Sequence, residues 1–306
     1  MKAMILAAGY GTRLRPLTYT MPKPMVPLCG RPLIGWAVES LLRAGIDDII
    51  VNVHHLPEAI ERYLTDTYGT RATFFFSREE GEILGTGGGI RRVRAQLESE
   101  EMFFLVNADT VQFPQFEALH AALRQHDALA ALTLRHPPPH DKFTAVYFDR
   151  GRVTGFNKGA GEALMFAGSH AVSSRIFQLL PDRDVSGIVE HTYQPALESG
   201  RDVVAGIVDD GPWFDIGTPQ RYLQAAAGLC PQHVGQHSVI EGQVRDSAIW
   251  DNVFIARGVH VEHCIVAHGV RLTHGEFRNA VILRDHPSVP TTSYERIDGN
   301  IVARFA

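Results

Sequence analysis

Cysteine is scarce in this 306-residue chain, which carries only Cys29, Cys230 and Cys264. They stand far apart without the short paired spacing of a zinc site, so the expectation is reduced thiols in a cytoplasmic protein. Long apolar runs are missing too. None approaches the ~20 residues a membrane helix requires, and the apolar run at residues 3–8 is too short for the core of a secretory leader. It reads better as a first strand. Positive charge is not in excess either: 29 lysines and arginines against 34 aspartates and glutamates leave a net charge of −5. No general surface therefore invites nucleic acid or an anionic membrane. Two familiar phosphate loops are absent, since Leu14 stands where a dinucleotide fingerprint needs its third glycine and no Gly-Lys-Ser/Thr makes a P-loop. The remaining composition, 45% hydrophobic and 21% charged, suits one large globular domain or two unequal ones.

What is there begins at residues 6–28, LAAGYGTRLRPLTYTMPKPMVPL. An apolar strand ends near Ala8 and the chain turns at Gly9 and Gly11, where a backbone without Cβ can pass close to a ligand. Thr12, Arg13, Arg15 and Lys23 follow, with Pro22 and Pro24 stiffening the segment that carries the lysine. Bare amides, a hydroxyl and cations in one loop after a strand suit a polyphosphate. A Gly-rich turn with solvated cations is the plainer reading of the glycine pair alone.

The full string, GxGTRLxPLT followed by PKPM, resembles the sugar-1-phosphate nucleotidylyltransferases. That resemblance implies an enzyme joining a nucleoside triphosphate to a sugar 1-phosphate with release of pyrophosphate. It places nucleotide binding on Leu6, Ala8, Gly9, Gly11, Thr12 and Arg13, with Arg13 and Lys23 also catalytic.

Downstream, Pro32 opens a helical pattern ended by Gly45, residues 49–53 read as a buried strand, 57–64 as a helix and 73–76 as a strand. Strand and helix alternating in this way predict an α/β, Rossmann-like, mostly parallel sheet with helices on both faces. Ligands of such sheets bind beyond the strands' carboxyl ends, where the opening loop falls. The segment SREEGEILGTGGGI at residues 77–90 puts glycines at a helix start, where a ligand can meet amides and the positive dipole end. In the resembling family this segment reads the base, which assigns Glu80, Gly85 and Thr86 to the nucleotide. A carboxylate only accepts hydrogen bonds. Guanine offers it two adjacent donors and uracil or thymine one, so guanine is favoured, then a pyrimidine. Otherwise Glu79, Glu80 and Glu82 are a solvated acidic turn.

Residues 102–106 form a strand ending in Asn107-Ala108-Asp109, and Pro212 to Pro219 reads PWFDIGTP. The resemblance makes Asp109 and Asp215 the ligands of Mg²⁺, an ion that takes few carboxylates when phosphates supply the rest. It assigns the sugar phosphate to Lys158, with Asn157, Gly168 and Glu190 around the sugar. Asn157 replaces a carboxylate usual in the family, which leaves the sugar open. Residues 136–140 must be a loop, 143–156 a hairpin turning at Asp149-Arg150-Gly151, and 185–197 a helix.

Beyond residue 228, aliphatic residues recur by sixes at Val234 and Ile240, then at Ile249, Ile255 and Val261, and with a slip at Val266 and Leu272. That period resembles a hexapeptide left-handed β-helix of two or three coils. The expected organisation is a catalytic domain at 1–228 and a β-helix at 229–306 that packs against a partner in a homo-oligomer. The histidines of this segment, His260, His263, His268 and His274, lack tight ligand spacing. The resemblance favours guanylyl transfer to mannose 1-phosphate. Uridylyl or thymidylyl transfer to another sugar, such as N-acetylmuramate 1-phosphate or glucose 1-phosphate, is the alternative, and a non-catalytic nucleotide-sugar sensor the reading from another class.

Overall fold

The computed structural model describes residues 1–138, 143–231 and 233–305. The chain segregates into two compact, interleaved units: Met1–Gly9 with Trp36–Trp213, and Tyr10–Gly35 with Phe214–Ala306.

The first unit is built on nine strands: β1 (Lys2–Leu6), β2 (Asp48–Val53), β3 (Thr73–Arg78), β4 (Met102–Asn107), β5 (Ala130–Arg135), β6 (Ala145–Asp149), β7 (Arg152–Phe156), β8 (Glu162–Ser173) and β9 (Val204–Val208). Their order across the sheet is β3-β2-β1-β4-β8-β5-β9-β7-β6. The half from β3 to β4 is wholly parallel. β8 then runs antiparallel between β4 and β5, β9 is parallel to β5, and β7 and β6 return antiparallel. The sheet is thus mixed rather than mostly parallel. The alternating strand–helix pattern holds as far as β5, after which the hairpin β6–β7 and the long strand β8 join β5 and β9 in the other half and make its ladder largely antiparallel. Asp149 to Gly151 is the hairpin turn, with Arg150 and Gly151 at φ 46° and 83°, the geometry a tight antiparallel connection needs.

Apolar spacing sets the helices. In α1 (Leu33–Arg43) the buried stripe is Leu33, Ile34, Ala37, Val38 and Leu41. In α2 (Pro57–Tyr68) it is Ile60, Leu64 and Tyr68, one turn apart, behind a proline in the first turn. α3 (Gly85–Arg92) and α4 (Phe116–Gln125) follow. The expected helix at 185–197 is instead a π-turn, Val189–Tyr193, running into Gln194–Glu198. Of the proline loop expected at 136–140, residues 136–138 are irregular and the others lie outside the described residues.

In the second unit, α5 (Pro219–Leu229) precedes short strands stacked in parallel. Val239–Ile240 pairs with Phe254–Ile255 and that with Arg271–Leu272. Likewise Val244 pairs with Val261 and Val261 with Phe277. Of the hexad aliphatics, Ile249, Ile255, Val261, Val266 and Leu272 lie in this unit's core and Ile240 packs half-buried against it, whereas Val234 is exposed. An antiparallel strand, Asn300–Arg304, covers the edge of Glu276–Arg284, which removes an open ladder.

Cys29 and Cys230 are joined in a disulfide, contrary to the reduced thiols expected. Their separation of 201 residues gave no sequence signal, because only the fold brings them together. Cys264 is free and buried, and burial pushes its thiol up to about 11.

Candidate active site

At the carboxyl ends of the parallel half, three loops are locked by one buried amide. Asn52, at the end of β2, accepts from the Ala7 N–H at 2.8 Å and donates to Glu79 at 2.7 Å. The other Glu79 oxygen accepts from the Leu84 N–H at 2.8 Å. The Ala108 N–H donates to the Leu6 carbonyl at 3.1 Å, so Asp109 leaves β4 right beside the end of β1. Leu6 and Ala8 therefore sit where a doubly wound sheet receives ligands. Gly9 is exposed and a Cβ there would meet nothing.

The acidic turn is divided. Glu79 is 4% exposed and is a structural clamp, while Glu80 is exposed. Glu80 shares an outer cleft with Glu61, Phe75, Arg78 and Arg92. Strand alternation explains the split, since successive side chains of β3 and its extension point to opposite faces.

The glycines opening α3 also differ from expectation. A Cβ on Gly85 would stand 2.7 Å from the Ser186 carbonyl, and one on Gly87 2.6 Å from the Ser186 hydroxyl. The Gly87 and Gly88 N–H groups donate to the Ser186 carbonyl at 2.8 and 3.3 Å. These glycines admit the backbone of residues 184–186, so that helix start is packed rather than open. Gly89 faces Asn52 and Glu79, each 3.2 Å from a Cβ placed there. Thr86 is half-buried beside them.

Around the expected sugar side, Gly168 adopts φ 95° in a bulge of β8, and a Cβ would stand 2.8 Å from the Asn107 amide nitrogen. The Trp213 indole N–H donates to the Ala167 carbonyl at 2.8 Å. Asn157 takes φ 62° and Lys158 follows it, both exposed beyond β7. Glu190 is exposed in the π-turn and curls over Gly187. Behind the bulge, His170 is fully buried against the Tyr193 hydroxyl at 3.0 Å, and burial drives its imidazole down to about 3.

In the second unit the opening loop folds on itself in three short turns, Thr12–Leu14, Leu17–Tyr19 and Lys23–Met25. Gly11 has φ 62°, and a Cβ would stand only 2.7 Å from the Lys23 Cβ. Glycine is thus required twice at this point. The Thr18 hydroxyl donates to the Gly11 carbonyl at 2.9 Å. Lys23 is buried, whereas Thr12 and Arg13 are exposed. Arg15 lies over the Tyr19 ring at 4.7 Å. Arg13 and Asp215 converge on Gly217: a Cβ there would be 3.0 Å from the Arg13 guanidinium and 3.0 Å from the Asp215 carboxylate. Arg221, in the first turn of α5, is ion-paired to Asp215. The Thr218 hydroxyl caps that helix by accepting from the Arg221 N–H at 3.3 Å.

Asn52, Glu79, Ser186 and Arg221 escape sequence reading. Asn52, Glu79 and Ser186 look like surface polar residues until a distant segment supplies their partners. Only the spacing of Arg221, six residues after the motif aspartate, offers any signal. Among the described residues no three histidine, cysteine or acidic side chains gather as a metal cluster. The expected set is two carboxylates, Asp109 in the first unit and Asp215 in the second.

A family model described as nucleotidyl transferase matches residues 2–232, and the chain belongs to that family. Among its relatives, the mannose-1-phosphate guanylyltransferase catalytic subunit beta of Danio rerio is 33% identical over 244 residues, 75% of this chain and 64% of the relative. The chain therefore spans just under two thirds of that protein. The UTP–glucose-1-phosphate uridylyltransferase of Synechocystis is 28% identical over 286 residues, 85% of this chain and 74% of the relative. A UTP-bound UGPase from Acinetobacter baumannii shares the fold, with a TM-score of 0.63 and 22% identity over 76% of this chain and 94% of its own. No described helix is long and apolar enough to cross a membrane.

Proposed function

We propose that this protein transfers a nucleoside monophosphate from a nucleoside triphosphate to a sugar 1-phosphate, releasing pyrophosphate. The observation that carries the reading is the closure of the opening loop on itself at Gly11, with Lys23 held by that closure and Arg13 set beside Asp215 at Gly217. An oxygen of the sugar phosphate attacks the α-phosphorus, and the bond from that phosphorus to the pyrophosphate oxygen breaks. Catalysis is then alignment plus neutralisation of charge, with no covalent intermediate. Arg13 offsets charge growing on pyrophosphate, Lys23 that on the reacting phosphates, and Lys158 binds the sugar's phosphate. Asn157, Gly168 and Glu190 border the sugar. The carboxylates of Asp109 and Asp215 are hard oxygen donors of the kind magnesium takes alongside phosphates. A bound Mg²⁺ would add positive charge at those phosphates.

GTP and mannose 1-phosphate are the favoured substrates, the base resting on Glu80 and the sugar on relatives such as the Danio rerio enzyme. A uridylyl transferase is the second reading, favoured by the Synechocystis relative and by the exposure of Glu80. We further read residues 229–306 as a left-handed hexapeptide helix, and the protein as a cytoplasmic homo-oligomer. The test is pyrophosphate release with five triphosphates crossed with a panel of sugar phosphates, in wild type and Glu80→Gln. If Glu80 reads guanine, its amide places a donor against a donor, and kcat/KM with GTP falls roughly ten- to a hundredfold while UTP suffers less. An unchanged ratio returns Glu80 to the solvated residues. No release with any pair would sink the proposed reaction.

A further inference from the structure

The second unit carries a partly open cavity of about 400 Å³ whose wall includes Tyr222, Ala226, Trp250, His268 and both halves of the Cys29–Cys230 disulfide. The two cysteines are half-buried, so a small molecule in the cavity reaches the bond. The remaining thiol, Cys264, is 0% exposed, and its burial-raised value of about 11 keeps it unreactive.

The bond's position is what gives it consequence. Cys29 lies six residues past Lys23, at φ 54° in the turn between the paired strands Pro27–Leu28 and Arg31–Pro32. Cys230 closes α5, the helix whose first turn holds Arg221 against Asp215. The disulfide therefore ties the loop bearing Arg13 and Lys23 to the helix that positions Asp215. A second tie between them is the Tyr222 hydroxyl donating to the Pro27 carbonyl at 2.6 Å. In a compartment that supplies nucleoside triphosphates thiols are kept reduced, and the disulfides found there are mostly transient or redox-sensing.

We propose that Cys29–Cys230 is a thiol–disulfide exchange site for a small dithiol entering this cavity, and that its reduction loosens the opening loop and weakens nucleotide binding. The inference rests on the nucleotidyl-transfer reading above. One thiolate of the dithiol attacks a cystine sulfur, the S–S bond breaks, and the other cysteine leaves as a thiolate. The second thiol then resolves the mixed disulfide. In balance, two electrons and two protons pass to the protein and the dithiol closes into its own disulfide. The His233 ring packs over Gly30, the residue after Cys29, 3.1 Å from a Cβ placed there.

The experiment equilibrates the full-length protein in dithiothreitol of graded oxidation and reads three things. Native alkylation followed by mass spectrometry should label Cys29 and Cys230 together and leave Cys264 untouched. Trypsin should cut Arg13–Leu14 faster in the reduced protein. That is the loop's single tryptic site, since Arg15, Lys23 and Arg31 each precede proline. The KM for GTP, or for UTP if UTP is the substrate, should rise about fivefold or more, the low end of coupled-site effects. Cys29→Ser and Cys230→Ser should show the reduced behaviour at every redox setting. The switch is overturned if the bond yields only when Cys264 also becomes labelled, or if reduction leaves both cleavage and KM unchanged. It is equally overturned if the serine variants lose thermal stability alone. Absence of nucleotidyl transfer in both redox states would sink the reaction instead, with labelling and cleavage still deciding the switch.

Discussion

At the scale of single residues, the buried amide of Asn52 joins the ends of three strands with two side-chain hydrogen bonds. Asn52→Leu keeps the volume but strands the Ala7 N–H and one Glu79 oxygen. Each buried unmet partner typically costs about 1–3 kcal/mol, so urea unfolding should show a loss of several kcal/mol; a loss under ~1 kcal/mol would refute the clamp. His170 makes a pH prediction. Its folded value of about 3 lies below the ordinary 6.5, so between these the unfolded chain binds the extra proton. Stability should therefore be fully present above pH 6.5 and decline as pH falls, by up to ~1.4 kcal/mol per unit. His170→Gln should flatten that part of the profile, and an unaltered slope would show other groups dominate. For chemistry, Asp109→Asn and Asp215→Asn should each lower kcat by at least about a hundredfold with the fold retained, the scale of losing a metal-borne charge. Near-normal rates at saturating magnesium would remove both from the site. The opening-loop residues were legible because the glycines, cations and prolines lie within one short stretch. The clamp was not, because Asn52 and Glu79 carry meaning only through each other.

At the scale of elements, the hydrophobic pattern foretold most strands and the first helices, but the strand-to-helix alternation was extended too far along the chain. The sheet's second half is organised by the long strand β8, which nothing in its composition marks as a central antiparallel strand. The repeats beyond residue 228 were expected to serve an interface. Within the second unit the Trp250 indole N–H also donates at 2.9 Å to the Tyr222 hydroxyl, which holds the Pro27 carbonyl. One coil of the strand stack thus braces α5 and, through it, the opening loop. Trp250→Phe preserves an aromatic ring and removes the donor. The expected result is a destabilisation of about 0.5–1.5 kcal/mol for the lost hydrogen bond, with a rise in KM for the triphosphate. Unchanged KM at lowered melting temperature would confine the brace to stability.

For the whole molecule, this bracing sets what truncation should do. Deleting residues 231–306 removes Trp250 and uncovers α5, so nucleotidyl transfer should fall along with solubility. A fully active truncated protein of unchanged sedimentation would show that the stack supports neither loop nor assembly. The interleaving of the units could not be read from motifs, since Tyr10–Gly35 stands among the first strands in sequence yet belongs with Phe214–Ala306 in space. It also has a consequence for biosynthesis. A ribosome adding roughly 5–20 residues per second delivers the opening loop within seconds but its partner helix only about 10–40 seconds later. During that interval the nascent chain has its sheet and no seated loop, and Cys29 has no Cys230 to join. Chains stalled just after Trp213 should then be cut readily at Arg13–Leu14, and chains released at full length should resist.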